Sequence, residues 1–314
     1  MKKLIAFLLA TVMLISLTAC GASDKYTVGI CQLVQHDALD AATKGFRDAL
    51  TEKLGDKVVF DEQNASGEPA NCTTIINGFI SKDVDLIMAN ATPALLAAAS
   101  ATDTIPILGT SVTDYASALE IDNWTGTVGN NISGTSDLAP LDQQAAMIAE
   151  LFPDAKNVGI IYCSAEANSQ YQVDVITGYL QELGMTATPY TFTDSNDVAS
   201  VTGVACQNSD VIYIPTDNTA AANTEAIANV VLPAKVPVVA GEAGICSGCG
   251  IATLSISYYD LGYQTGLMAA KILTGEADVS AMPIEFAPEI TKQYNAANCE
   301  ALGITIPEGY APLG

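Results

Sequence analysis

The chain has 314 residues, with 12 Lys and Arg against 35 Asp and Glu and a formal net charge of −23. That excess repels nucleic-acid phosphates and anionic lipid headgroups, which excludes nucleic-acid binding. With 49% hydrophobic and only 15% charged residues the chain is not a disordered tail, and its length suffices for two domains with cores of their own.

Met1-Lys2-Lys3 followed by the apolar stretch Leu4 to Ala19 has the charged start and greasy middle of an export signal, and it is short for a membrane span. It ends Leu17-Thr18-Ala19-Cys20-Gly21, which resembles the lipobox of bacterial lipoproteins. The resemblance implies cleavage after residue 19 and lipid attachment to Cys20, with residues 20–25 as the tether. An ordinary secretory signal with a chance cysteine is the plainer alternative. Two or more acyl chains give stable anchoring, so the mature chain is expected outside the cytoplasm, held at a membrane. Beyond Cys20, the near pair Cys246 and Cys249 suits a local disulfide or two inert thiols equally well.

The first predicted strand is Tyr26 to Cys31, followed by the polar turn Gln32 to Asp37. Leu39, Ala42, Phe46, Ala49 and Leu50 then recur at helical spacing up to Gly55. Val58 to Phe60 is a second strand, and Ile75, Ile76, Phe79 and Ile80 mark a helix. The strand Asp85 to Ala89 runs into Asn90-Ala91-Thr92-Pro93, where Pro93 opens the next helix. Ile105 to Leu108 is a strand that ends in Gly109-Thr110-Ser111-Val112-Thr113-Asp114. Gly126 to Ile132 reads as an extended crossing.

The order then restarts. Val158 to Tyr162 repeats Val28-Gly29-Ile30, and the turn Cys163 to Ser169 takes the place of the Gln32 turn. The strand opening at Asp210 follows the one opening at Asp85 by 125 residues, and each has a small polar residue seven positions on, Asp217 and Thr92. Val236 to Ala240 matches Ile105 to Gly109. Ile251 to Ile256 reads as a second crossing, Tyr258 to Leu273 as a helix, Ile284 to Ala287 as an edge strand and Asn298 to Leu302 as a last short helix. Short strands alternating with helices predict an α/β fold, two similar doubly wound parallel-sheet lobes joined by a multi-strand hinge. The lobes are expected at 26–130 with 257–281, and at 131–256 with 282–314.

In open parallel sheets ligands sit beyond the carboxyl ends of the strands, where helix N-termini attract anions. The first-lobe turns offer Gln32, His36, Thr92, Thr110, Ser111 and Val112, with little charge. The second-lobe turns offer Glu166, Asn168, Ser169, Asp217, Asn218 and Glu242. A neutral wall facing an acidic wall suits a zwitterion: the α-carboxylate on Thr92, Ser111 and free N–H groups, the α-ammonium on Asp217 aided by Glu242. Thr92, Asn168 and Asp217 also fit as plain helix caps, Glu242 as a structural carboxylate and His36 as a structural histidine. No Gly-x-Ser-x-Gly elbow, metal-ligand cluster or phosphate loop is present, so a binding protein without metal or cofactor is expected rather than an enzyme.

Taken together, Val28-Gly29-Ile30, Asp40 to Phe46, Asn90 to Pro93, Gly109 to Asp114, Glu166 to Ser169, Pro215 to Thr219, Gly241 to Gly244 and Tyr258 to Gly266 resemble the substrate-binding lipoproteins of bacterial ABC importers with a type I periplasmic-binding-protein fold. The chain is most similar to the branch with tryptophan- and phenylalanine-binding members. The resemblance implies two lobes that close on an amino acid, an aromatic one in this branch, and then dock on a permease with its ATPase, the receptor acting as a monomer. It also places Ser111 and Thr92 by the ligand carboxylate, Asp217 by the ammonium, and Gln32, His36, Glu166, Asn168 and Ser169 along the cleft. A sugar or nucleoside receptor on the same scaffold is the alternative.

Overall fold

The computed structural model describes residues 25–287 and 289–313; the expected export signal and the expected lipid-attachment residue Cys20 lie outside them. In the first half β1 (Tyr26–Gln32), β2 (Val58–Asn64), β3 (Leu86–Asn90), β4 (Ile107–Val112) and β5 (Ile132–Ser136) alternate with α1 (Asp37–Leu54), α2 (Pro69–Ser81), α3 (Thr92–Ala101) and α4 (Tyr115–Ala118). A helix α5 (Leu141–Leu151) opens the second half. There β6 (Asn157–Cys163), β7 (Thr186–Phe192), β8 (Val211–Ile214), β9 (Val238–Ala240) and β10 (Ala252–Ile256) are interleaved with α6 (Ala167–Glu182), α7 (Val198–Asn208), α8 (Asn218–Ala221), α9 (Thr224–Ala234) and α10 (Ala243–Gly248). The chain ends with α11 (Tyr258–Leu273), β11 (Glu285–Phe286), β12 (Ile290–Tyr294), α12 (Ala296–Leu302) and β13 (Ala311–Pro312).

The first sheet has the order β11-β5-β4-β3-β1-β2 and the second β13-β12-β10-β9-β8-β6-β7. Both contain the same parallel run, second-first-third-fourth-fifth strand of each half, so the repeat in the sequence is a repeat of topology. Two assignments change. Ile132–Ser136 is the fifth strand of the first sheet, and Glu285–Phe286 pairs beside it, so both belong to the lobe expected to stop at residues 130 and 281. β5 is hard to read as a core strand because it is Ile-Ser-Gly-Thr-Ser. It is nonetheless fully buried, its hydroxyls bonded inward from Ser133 to the Met282 carbonyl (3.0 Å), between Thr135 and Thr265 (2.8 Å), and from Ser136 to the Thr113 carbonyl (2.8 Å). Among the described residues the chain passes between the sheets three times, after Ser136, Ile256 and Phe286.

Helices cover both faces of each sheet. α1 buries Leu39, Phe46 and Leu50, each worth about 1.5–3 kcal/mol, against the first sheet. α11 returns to pack along α1. The two backbones approach so closely that a methyl group on Gly262 would overlap the Ala42 carbonyl, which is why this position is glycine. The start of α1 is fixed from below by a buried polar chain. Thr43 donates to Gln32 Oε1 (2.6 Å), while Asn90 Nδ2 donates to Thr43 Oγ1 (3.0 Å) and to the Leu39 carbonyl (2.9 Å). Helix N-termini, strand ends and loops of both lobes thereby face one another across a cleft.

Candidate functional site

Across the cleft, His36 and Leu39 from the start of α1, Ser111 and Thr113 after β4, Asp137 after β5 and Tyr258 at the start of α11 face Asn168 of α6. Beside Asn168 stand Thr216 to Asn218 after β8, Ala221 of α8 and Glu242 after β9. These residues leave a narrow space of about 280 Å³ outside protein atoms between the lobes. The lobes are shut. His36 Nε2 lies 3.3 Å from Asn218 Oδ1; since that oxygen only accepts, the Nε2–H tautomer donates across the cleft.

The second-lobe carboxylates differ from the sequence expectation in one respect: their oxygens already hold their own lobe together. Asp217 accepts from Cys163 N–H, Ser169 Oγ and Ala220 N–H, all at 2.7 Å, and so caps α8. Glu166 accepts from the Asn218 N–H (3.0 Å) and Nδ2 (2.7 Å) and from the Thr219 N–H (2.8 Å) and hydroxyl (2.7 Å). Glu242 caps α10 through the N–H groups of Gly244 (2.6 Å) and Ile245. Burial, and then the charge of Glu166, push Asp217 up to about 8 despite its three bonds, and burial pushes Glu242 up to about 7. Burial lowers the pKa of His36 below its ordinary value.

The first-lobe wall is not neutral. Asp137, which the sequence reading passes over, is 5% exposed and takes one bond, from the Tyr258 hydroxyl to Oδ2 (2.8 Å). Its Oδ1 has no partner, and burial raises its pKa. Eight buried side-chain polar atoms among the described residues lack a partner, and four belong to residues lining this one cavity: Ser111 Oγ, Asp137 Oδ1, Asn168 Oδ1 and Thr216 Oγ1. Orphaned buried polar atoms are rare in native folds, and their concentration here points to a ligand that completes them. The backbone is strained at the same place. Ala91 has φ 90° and Ser111 φ 54°, conformations that cost a non-glycine residue about 1–3 kcal/mol and that cluster at ligand clamps. The 18-residue α1 and 16-residue α6 both begin at the cavity without a side-chain cap; α1 has Asp37 and Asp40 in its first turn, and Glu166 precedes α6.

Of the candidates from sequence, His36, Ser111, Asn168, Asp217, Asn218 and Glu242 meet around the cavity. The others do not line it. Gln32 is engaged with Thr43, Asp40 and the Val34 carbonyl below α1. Thr110 accepts from Thr135, and Val112 is core. Glu166 and Ser169 stand behind Asn218 and Asp217 as their supports. Thr92 lines a separate surface groove along α3. Thr113, Asp137, Thr216 and Tyr258 are additions, and their only sequence signal is a polar residue directly after a strand or at a helix start. Among the described residues no group of three or more His, Cys, Asp or Glu is placed to hold a metal. Cys246 and Cys249 are both free and buried.

A closed cleft with unfilled polar groups between two like lobes defines a solute-binding protein, and residues 27–311 match the ABC transporter substrate binding protein family, to which this chain belongs. Its fold is that of the type I periplasmic binding proteins. A tyrosine-binding protein of Clostridioides difficile (strain R20291) is 33% identical, the alignment covering 96% of this chain and 92% of that one. The crystal structure of an ABC domain in complex with L-Trp from Streptococcus pneumonia superposes with a TM-score of 0.87 at 30% identity, over 91% of this chain and 99% of that one. The ligand-free, open structure of a substrate binding protein with adhesive properties from Clostridium difficile reaches only 0.70 at 35% identity, over 92% and 99% of the two chains. That structure is open, whereas the cleft here is shut.

Proposed function

We propose that this chain is the extracytoplasmic solute receptor of an ABC importer, anchored through a lipid on Cys20, and that its ligand is an aromatic L-amino acid held as a zwitterion. The observation that carries this reading is the convergence of four unbonded, buried polar atoms on one shut cavity. Asp137 Oδ1, held from the other side by Tyr258, takes the α-ammonium together with Asn168 Oδ1. Ser111 Oγ and the uncapped starts of α1 and α6 take the α-carboxylate. This moves the ammonium site from Asp217 to Asp137: Asp217, Glu166 and Glu242 shape the opposite wall.

The lining contains no Lys or Arg, which disfavours ligands carrying net negative charge. The kinship with a tyrosine-binding protein and with an L-Trp complex supports the aromatic class. No step here requires bond making or breaking, so the protein acts by closing on its ligand and presenting that shape to a permease, as a monomer. The test is calorimetric titration of the mature protein with L-tyrosine, L-phenylalanine and L-tryptophan, and with their N-acetyl forms. The free amino acids are expected to bind and the acetylated ones, which lack the ammonium, to fail. Equal binding of both forms, or binding only of sugars or nucleosides, defeats the proposal. Intact-mass measurement of the membrane-extracted protein checks the lipid: a diacylglyceryl adduct starting at Cys20 is expected.

A further inference from the structure

None of the seven cysteines among the described residues lines the inner cavity. Three of them give their S–H to a backbone carbonyl: Cys163 to Thr193 (3.5 Å), Cys249 to Ile245 (3.4 Å) and Cys299 to Ile251 (3.6 Å). Cys31 and Cys72 are different. Both are fully buried, and both belong to one core cluster of the first lobe.

The packing of α2 on β1 brings these two face to face. The buried residues of α2 are Cys72, Ile76 and Phe79, a stripe at helical spacing. Toward the far end of the helix Phe79 lies on Gly29, where an added methyl would come within 2.6 Å of the ring. Residues two apart in a strand point to one face, so Cys31 follows Gly29 on the side that α2 covers. α2 leads from the carboxyl end of β2 back to the amino end of β3 and therefore runs against β1, which carries Cys72 toward Cys31. Two bonds hold that end. The Ala65 N–H donates to the Gln32 carbonyl (2.9 Å), and Asn71 Nδ2 donates to the Ala65 carbonyl (3.0 Å). The chain neighbours of the two cysteines are thus tied to one residue. The thiols themselves interact: a hydrogen bond between them, ahead of burial, pushes the Cys31 pKa up and lowers that of Cys72.

We propose that Cys31 and Cys72 form a disulfide in the exported chain, stapling α2 to the end of β1. The proposal rests on the reading of this chain as extracytoplasmic, since disulfides persist in oxidising compartments and are rare in the cytosol. The bond forms by exchange with a disulfide-bearing thiol oxidoreductase outside the membrane. One cysteine thiolate attacks a sulfur of that disulfide, and the second displaces the oxidoreductase from the mixed disulfide. The oxidoreductase leaves as a dithiol that holds the two protons. Both sulfurs are out of reach in the folded lobe, so the exchange takes place before α2 docks. The closed loop contains α1 and β2, so the bond restrains the unfolded chain and fixes the strand end from which α1 and His36 start.

The experiment is a peptide map of the full chain expressed with its own export signal in a bacterium, its free thiols blocked with iodoacetamide in denaturant before tryptic digestion. Cleavage after Lys25, Lys44, Lys57 and Lys82 puts Cys31 on the peptide 26–44 and Cys72 on the peptide 58–82. The two are expected as one mass, lighter by a pair of hydrogens than their sum, that a reductant splits. Reductant is also expected to lower the melting temperature of the wild type by about 5–15 °C and to leave those of Cys31→Ala and Cys72→Ala unchanged. If one variant fails to fold, the other decides. Both peptides alkylated in a chain whose signal has been removed overturns the disulfide and leaves the receptor reading standing, and a cross-link from either cysteine to another overturns the pairing. A chain that keeps its signal and stays inside the cell overturns the export on which both depend.

Discussion

Replacing Asp137 with Asn separates binding from stability. The side chains are nearly the same size, and the Asn carbonyl oxygen still accepts from the Tyr258 hydroxyl that now meets Asp137 Oδ2 at 2.8 Å. What is lost is the charge and the acceptor at the unpartnered Oδ1. A hydrogen bond to a charged group is worth about 1.5–3 kcal/mol, so affinity for L-tyrosine should fall by roughly 10- to 150-fold at about 1.4 kcal/mol per factor of ten. The unliganded protein should melt no lower than the wild type, because the Asp137 carboxylate is buried, raised in pKa by that burial, and has one oxygen without a partner. Calorimetric titration gives the first quantity and a thermal melt without ligand the second. Affinity within twofold of wild type refutes the ammonium site. A weakened affinity that comes with a matching fall in melting temperature shows instead a purely structural carboxylate.

The His36–Asn218 bond is the direct hydrogen bond across the cleft, so His36→Ala and Asn218→Ala should each speed ligand release, and a double-mutant cycle on Kd should give a non-additive coupling of about 0.5–1.5 kcal/mol; strict additivity would falsify the latch. Asp217 and Glu242, at about 8 and about 7, lie above the ordinary carboxylate values of about 3.9 and 4.3. Their contribution to stability is full below those ordinary values and is lost as pH rises through the folded ones, so the unliganded melting temperature should fall between pH 5 and pH 8. A bound ammonium favours the ionised carboxylates, so binding at pH 7 should release protons, seen as a heat that differs between phosphate and Tris buffers; an identical heat in both counts against the acidic wall. Gly262→Ala should destabilise by about 1–3 kcal/mol in urea unfolding, since the added methyl meets the Ala42 carbonyl backbone rather than a flexible side chain; an unchanged midpoint means that α1 and α11 are free to separate.

The fold was legible wherever burial leaves a periodic trace. Val28, Ile30, Leu86, Ile87, Ile212 and Val238 stand in apolar runs, and each run is a central strand. The repeat gave the second lobe its topology from the first. The hinge was less legible. β5 has a single apolar residue, Ile132, and is core through hydroxyl bonds to residues far along the chain, two of them more than a hundred positions away, which no local pattern encodes. The helix Leu141–Leu151 carries Leu141, Ala145 and Ile148 at helical spacing yet lacks a side-chain cap, and the reading leaves it unassigned. The site was half legible for the same reason. A polar residue after a strand marks a turn at the cleft, which is how Ser111, Asp217 and Glu242 are found. Which of those residues is already satisfied by its neighbours depends on tertiary bonds. Asp217 and Glu166 look free in sequence and are fully engaged in space, whereas Asp137, which lies outside every element read from the sequence, is the one with an oxygen to spare.

That difference between engaged and unengaged groups also explains how such a receptor senses its ligand. Each buried polar atom without a partner costs about 1–3 kcal/mol, and the shut cleft has four around its inner cavity. In an open cleft the same atoms are bonded to water and cost nothing, so the empty protein is driven open. A ligand that supplies partners to all four removes the cost only in the closed state, which is the differential affinity that any population shift requires. Shifting a two-state equilibrium from 1:99 to 99:1 takes about 5.5 kcal/mol. Four such atoms are enough to supply it, and the single His36–Asn218 bond is too weak to hold the lobes shut without them. Closure is thereby tied to the chemistry of the head group: a molecule of the right size without the ammonium enters the cleft, leaves Asp137 unbonded, and does not keep the lobes together.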